Sequence, residues 1–182
     1  MAPISGQYTA LALHMAQDNI FLVSCPLFQK KMADDVGPFN TALHSLEDWN
    51  FWCRAVLKGK KFLYNNEPGT EFYVRTHGNN MSGNRYKMWK FKIQARQSLL
   101  ELALAAQAKS VNPNFDLEPI IVRHQAFLFE EQARFNLLYG DIFTGLRFTG
   151  RYFLAGKSNT HIWYDSAYWL KERLLRRNQH NS

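Results

Sequence analysis

The pattern of apolar and polar positions divides the chain near residue 83. Residues 1–83 mix short apolar runs with glycine, proline and asparagine, which is typical of an α/β segment. Residues 84–182 instead repeat apolar positions at helical spacing over long stretches. We therefore predict an α/β fold with few short strands over 1–83, followed by an α-helical appendage over 84–182, in a chain that is helix-rich overall.

Three helices and three strands are predicted in the first part. The helices cover 7–17, 30–36 and 46–57, and the last of them ends at Lys58-Gly59, where a cation meets the negative helix end and glycine supplies the cap. The strands cover 20–24, 61–64 and 71–76, because these short runs are rich in β-branched and aromatic residues.

Four helices are predicted in the second part. One long amphipathic helix begins near residue 85 and is ended by Pro113, and a second runs from Asp116 to Gly140 with Pro119 in its first turn. Two more cover 141–154 and 162–175. No period near 34 residues is present, so these are packing helices and not a repeat array.

Two acids and two indoles meet at the start of the helix over 46–57. Ser45 and Asp48 approximate a capping box, and Glu47 and Asp48 complement the helix dipole in any protein. A cap does not require Trp49 and Trp52 beside it, however. A carboxylate held at a helix N-terminus next to flat aromatic rings also suits a base that acts on a sugar hydroxyl. The pattern leaves both interpretations open.

A second cluster lies on the predicted strand over 71–76 and the turn after it. Alternation would place Tyr73, Arg75 and His77 on one face, with His77 at the exit of the strand. Arg75 could bind phosphate as a planar fork, and His77 could bind a metal. The alternative is that His77 is a solvated residue in a turn rich in glycine and asparagine.

The order of these motifs resembles the C-terminal, acceptor-side half of a family 2 glycosyltransferase with a GT-A fold. The resemblance covers residues 19–83 and depends on several motifs in the same order: Asn19, Val36-Gly37-Pro38-Phe39-Asn40, Leu46-Glu47-Asp48-Trp49-Asn50-Phe51-Trp52-Cys53-Arg54, Gly59, Phe62, Glu67-Pro68, Tyr73-Val74-Arg75-Thr76-His77 and Met81-Ser82. It implies inverting transfer of a sugar from a nucleotide-sugar donor to an acceptor hydroxyl, as in polysaccharide biosynthesis.

The resemblance also implies roles for individual residues. Asp48 would be the general base that removes the proton of the acceptor hydroxyl, and Glu47 would support it. Trp49 and Trp52 would line or buttress the acceptor side. The acceptor would be a carbohydrate or a lipid-linked sugar.

On the donor side, the resemblance implies a divalent metal. Arg75 and His77 would face the donor diphosphate and a Mn²⁺ or Mg²⁺ ion. The family's Asp-x-Asp metal site lies in an N-terminal donor half, for which the 19 residues before Ile20 leave no room. We expect a truncated form that binds a nucleotide sugar weakly unless another protein supplies the donor half.

The distribution of positive charge indicates which partners residues 84–182 could bind. The net charge is +7, and residues 147–182 carry five of these seven excess positive charges among interleaved aromatic residues. These helices could bind an anionic membrane surface, or the aromatics could form a core with the cations solvated. No nucleic-acid-binding motif is present. The alternative function is therefore a non-catalytic binding or scaffold protein with a basic aromatic surface for membrane or protein partners.

The location is predicted from what the chain lacks. Cys25 and Cys53 form neither a disulfide framework nor a metal-ligand spacing. No basic residue precedes Lys30, and no apolar run approaches the ~18 residues of a membrane span. We predict a cytoplasmic protein, either free or peripheral at the inner membrane face.

Overall fold

A computed structural model describes residues 5–21, 23–24, 26–65, 67, 69, 83–109, 115–155 and 161–179. Seven helices lie within these ranges: α1 (Tyr8–Met15), α2 (Lys30–Val36), α3 (Glu47–Leu57), α4 (Arg85–Ala108), α5 (Glu118–Tyr139), α6 (Ile142–Leu154) and α7 (His161–Gln179). Each of the seven predicted helices is therefore observed, with bounds that differ from the prediction by a few residues at some ends. In the part of the chain that the structure describes, no helix has the length and apolar character needed to cross a bilayer.

The predicted α/β fold is wrong. No strand or sheet occurs among the described residues; the single main-chain pairing of strand type there is an isolated bridge between Gly6 and Phe62, with N–O distances of 3.0 and 2.9 Å. The runs predicted as strands at 20–24 and 61–64 are instead turns and irregular segments where they are described, and 71–76 lies outside the described residues.

The physical reason is that Phe21 and Phe62, the phenylalanines of the two described runs, pack against other aromatic rings and not within a sheet. The rings of Phe21 and Phe62 stack with centroids 4.9 Å apart, and both approach the indole of Trp52 edge-on. Burial of an aromatic side chain requires contact with other apolar groups, whereas a strand also requires a neighbour along its whole length. Phe21 and Phe62 have the apolar contacts, but among the described residues their runs have no neighbouring strand.

Helix α3 begins without the predicted capping box. Its N-cap is Leu46, which has a left-handed backbone (φ 63°) and whose side chain makes no capping hydrogen bond. Ser45 precedes the N-cap, so its hydroxyl is one residue too early to cap the helix, and it is buried. The acids of the first turn, Glu47 and Asp48, therefore remain to complement the N-terminal end of the helix.

Two apolar cores hold the helices together. The first core joins α1, α3, α4 and the start of α5, and its largest members include Trp49, Trp52, Leu11 and Leu99. The second core joins α5, α6 and α7 around Leu137, Tyr152 and Trp169. Helix α5 thus contributes to both cores and connects them.

Close packing in the second core depends on small side chains. A Cβ atom added at Gly145 would lie 2.6 Å from Leu137 Cγ, so α6 can approach α5 only because glycine stands there. One turn later, the hydroxyls of Thr149 and Ser166 lie 3.2 Å apart and join α6 to α7. The side chain of Asp141 caps α6 by accepting from the N–H of Thr144 at 2.7 Å.

Candidate functional site

Asp48 is half-buried on the first turn of α3, and both of its carboxylate oxygens accept a hydrogen bond. Oδ2 accepts from the side-chain amide of Asn19 at 3.1 Å, and Oδ1 accepts from the N–H of Trp49 at 2.7 Å. No lysine, arginine or histidine among the described residues forms an ion pair with it. Because a carboxylate can accept about four hydrogen bonds, Asp48 retains capacity for a hydroxyl group. Glu47, beside it, is also half-buried.

The two predicted indoles lie in the first core behind this carboxylate. Trp49 is fully buried, and its Nε1 donates to the main-chain oxygen of Met15 at 2.8 Å. Trp52 is also buried, and its ring is in contact with the rings of Phe21, Phe28, Phe51 and Phe62. Their burial anchors the first turns of α3, so the position of Asp48 is set by the packing of the helix that carries it.

The predicted donor-side residues, Arg75 and His77, lie outside the described residues. Among the residues that are described, no three His, Cys, Asp or Glu side chains are grouped closely enough to hold a metal ion. The predicted Mn²⁺ or Mg²⁺ site stays a prediction.

A cavity of about 760 Å³ opens beside the end of α1, where α4 and α5 meet it. Its lining combines aromatic, apolar and charged side chains: Ser5, Ala10, Leu11, His14, Gln17, Asp18, Ile20, Trp89, Lys92, Phe127, Glu130, Glu131 and Arg134. Asp48 does not line it. Asn19, which donates to Asp48, lies in the chain between the cavity residues Asp18 and Ile20.

An ion pair that is buried next to the cavity joins α4 to α5. Arg96 is 0% exposed, and its Nη2 donates to Glu131 Oε1 at 2.7 Å while its Nε approaches Oε2 at 3.2 Å. The guanidinium also donates to the main-chain oxygens of Ala16 and Gln17 just after α1. Because Arg96 has several donors in a fixed plane, one side chain can hold three helices in register.

Aromatic rings lie against the guanidinium groups of Arg96 and of a second arginine, Arg134. The guanidinium carbon of Arg96 lies 4.5 Å from the ring centroid of Trp49 on α3 and 5.1 Å from that of Phe127 on α5. Arg134, also on α5, lies 4.9 Å from the ring of Trp89 and 4.5 Å from that of Trp169. Cations over aromatic faces are stabilised by the ring quadrupole, most strongly away from water.

Burial shifts the pKa of two groups near Arg96. The pKa of His124 is lowered to about 3, mainly by burial and also by Arg96, whose Nη1 is 3.4 Å from its Nδ1. The imidazole is therefore neutral at neutral pH. Burial also raises the pKa of Glu131, although Arg96 opposes this by charge and by hydrogen bonding.

At the mouth of the cavity, most charges are paired with one another. Lys92 Nζ lies 3.2 Å from Asp18 and 3.8 Å from Glu131, and Arg134 lies 3.5 Å from Glu130. Burial raises the pKa of Glu130, which the charge of Arg134 partly offsets. A cavity that offers balanced donors and acceptors beside an indole suits a polar ligand without a large net charge.

Sequence reasoning missed this cavity and its buried ion pair. The available signal was a charge inside an apolar stripe, since Arg96 falls between Ile93 and Leu100 on α4, and Glu131 falls between Phe127 and Phe135 on α5. Such an interruption marks a charge that must be paired, because an unpaired buried charge is very costly.

Comparisons with protein-family models, with curated proteins and with solved structures found no match.

Proposed function

We propose that this chain provides the acceptor-activating part of an inverting glycosyltransferase, with Asp48 as its general base. The acceptor hydroxyl oxygen forms a bond to the anomeric carbon, the bond from that carbon to the nucleoside diphosphate breaks, and the hydroxyl proton passes to the Asp48 carboxylate. The observation that carries the proposal is the state of this carboxylate: half-exposed, held by Asn19 and free of ion pairs among the described residues.

The cavity next to this segment supports a carbohydrate acceptor. Sugars present many hydroxyl groups that both donate and accept, and they present C–H faces that pack on indole rings. Gln17, His14 and Asp18 offer exposed polar groups at the cavity, and Trp89 is half-exposed there. The acceptor's further sugar units occupy this cavity in our proposal, while the reacting hydroxyl reaches Asp48 past Asn19.

Donor binding depends, in this proposal, on Arg75 and His77 and on a donor half that another protein supplies. The isolated chain should therefore bind nucleotide sugars weakly. Titration calorimetry with UDP-glucose, UDP-N-acetylglucosamine and GDP-mannose in the presence of Mn²⁺ measures this. Tight binding by the isolated chain would contradict the requirement for a separate donor half.

The catalytic role is tested in the source cells after deletion of the gene. Membranes from cells complemented with the wild-type chain, Asp48→Asn or Asp34→Asn receive a radiolabelled nucleotide sugar, and label in polymer and lipid fractions is counted. Asp34 is an exposed aspartate on α2 that pairs with Lys30, so Asp34→Asn is a matched control for the same chemical change. We expect Asp48→Asn to lower transfer by about 100-fold or more, and Asp34→Asn to retain it.

Two results would contradict the proposal. One is transfer that Asp48→Asn leaves intact, and the other is transfer that the wild-type chain does not raise above that of the deletion strain. Full complementation by Asp48→Asn would favour the alternative of a non-catalytic binding or scaffold protein.

A further inference from the structure

Helix α6 has four exposed apolar side chains on one side. The side chains of Phe143 and Leu154 are each 83% exposed, and those of Leu146 and Phe153 are 40% and 44% exposed. At 100° per residue these four positions fall on one arc of the helix, with Gly150 between them. The neighbouring side, with Gly145, Thr149 and Tyr152, is the buried side that packs in the second core.

The ionisable residues on the exposed side of α6 are both arginines. Arg147 and Arg151 border the apolar arc along one edge, and both are exposed. The guanidinium carbon of Arg151 lies 5.7 Å from the ring centroid of Phe148 and 6.0 Å from that of Phe129 on α5. The one acid of this segment, Asp141, is at the N-terminal end, where its side chain is engaged as the cap of α6.

We infer that α6 is an interfacial helix that docks on an anionic lipid surface. An apolar arc bordered by cations, on a helix that lies flat, is the arrangement by which peripheral proteins insert side chains at the boundary between headgroups and acyl chains. The arginines would contact lipid phosphates while Phe143, Leu146 and Leu154 enter the boundary. This inference does not rest on the proposed catalytic role of Asp48.

Charge favours lipid over a protein partner as the occupant. A protein groove for this face would have to match two arginines with fixed carboxylates, whereas an anionic bilayer offers phosphates that move to meet them. The net charge of +7, five units of which lie in residues 147–182, adds long-range attraction to the same surface. The apolar arc alone would not distinguish the two occupants, so the test varies lipid charge.

The experiment is co-sedimentation of the purified full chain with vesicles of phosphatidylcholine alone or with added phosphatidylglycerol. We expect binding to the anionic vesicles to be at least about tenfold tighter, and to weaken as salt rises. The double variant Phe143→Ser/Leu154→Ser should weaken binding about tenfold or more, and Arg147→Gln/Arg151→Gln should remove the preference for phosphatidylglycerol.

Matched variants control for exposed apolar area and for charge. Leu27→Ser/Leu63→Ser removes two leucines that are also highly exposed, and Arg85→Gln/Lys87→Gln removes two exposed cations at the start of α4. Neither control should change binding by more than about twofold. Because all of these side chains are exposed, thermal melting of each variant should match the wild type and confirm folding.

Three outcomes would overturn the inference. The first is a wild-type chain that does not sediment with anionic vesicles at low salt. The second is equal loss of binding in the α6 variants and their controls, which would indicate non-specific attraction by net charge. The third is binding that the α6 variants retain, which would assign membrane contact to another surface.

Discussion

The first core buries an ion pair among large apolar side chains, whereas in the second core a glycine allows two helices to pack closely and one helix keeps an exposed apolar face. In the first core, Arg96 forms a buried ion pair with Glu131, and its guanidinium lies against the rings of Trp49 and Phe127. In the second, Gly145 permits close approach of α6 to α5. The difference indicates that the first core depends on a polar network for its geometry, and the second depends on shape.

The largest effect should follow from breaking the buried ion pair. Arg96→Leu leaves Glu131 without its main partner in a buried site and should lower the free energy of unfolding by about 3–5 kcal/mol. Urea denaturation, followed by circular dichroism, measures this. Glu131→Leu should have a comparable effect, and the double variant should lose less than the sum of the two. Strict additivity would show that the two side chains are not coupled.

A smaller effect is expected from filling the glycine contact in the second core. The added methyl group of Gly145→Ala would overlap Leu137 and should lower the free energy of unfolding by about 1–3 kcal/mol. Gly150→Ala, on the same helix, places a methyl group where no atom lies within 4 Å and should be neutral or stabilise by up to about 1 kcal/mol. Equal effects of the two variants in urea denaturation would contradict the packing of α6 on α5.

A pH-dependent effect is expected from His124 in the first core. Its pKa falls from the usual 6.5 to about 3 in the folded chain, so above pH 6.5 both states hold it neutral and it adds no pH dependence. Below pH 6.5 His124 becomes protonated in the unfolded chain but stays neutral in the folded chain. Acidification therefore destabilises the fold by up to about 1.4 kcal/mol per pH unit until about pH 3.

The measurement compares the wild-type chain with His124→Asn in urea at several pH values. The difference in unfolding free energy between the two should change below pH 6.5, with the wild type losing more stability on acidification. A difference that stays constant between neutral pH and pH 4 would show that the imidazole titrates in the folded protein as it does in the unfolded chain.

The smallest effect concerns reactivity and leaves stability unchanged. Cys53 is buried in the first core, and burial raises the pKa of its thiol to about 12, so little thiolate is present at neutral pH. Iodoacetamide should label it slowly, and faster in Arg96→Leu because that variant opens more often. Mass mapping of peptides separates this label from any on Cys25. Fast labelling of Cys53 in the wild type would contradict its burial.

Helices were predictable from the sequence because their signals are local. Apolar spacing in α4, Pro119 in the first turn of α5 and the cap by Asp141 of α6 all act within a few residues. The strand predictions at 20–24 and 61–64 failed because β-branched and aromatic composition shows only that a run is apolar. Whether Phe62 joins a ladder or packs against Phe21 and Trp52 depends on which segments lie beside it.

In the candidate site, too, some features were predictable from the sequence and others were visible only in the structure. Asp48 could be singled out from its place at a helix start among indoles, but its bond with Asn19 joins residues 29 positions apart and was visible only in the structure. The division of the chain near residue 83 and the roles of Arg75 and His77 stay predictions.

By itself, the sequence determined where helices form, which faces are apolar and where positive charge accumulates, since each of these properties is set by neighbours within a few turns. Only the tertiary structure decided that Arg96 meets Glu131, that a cavity opens beside them and that α6 keeps an apolar face outside. The reason is that these features depend on how helices distant in sequence approach one another, and that approach is set by the packing of both cores.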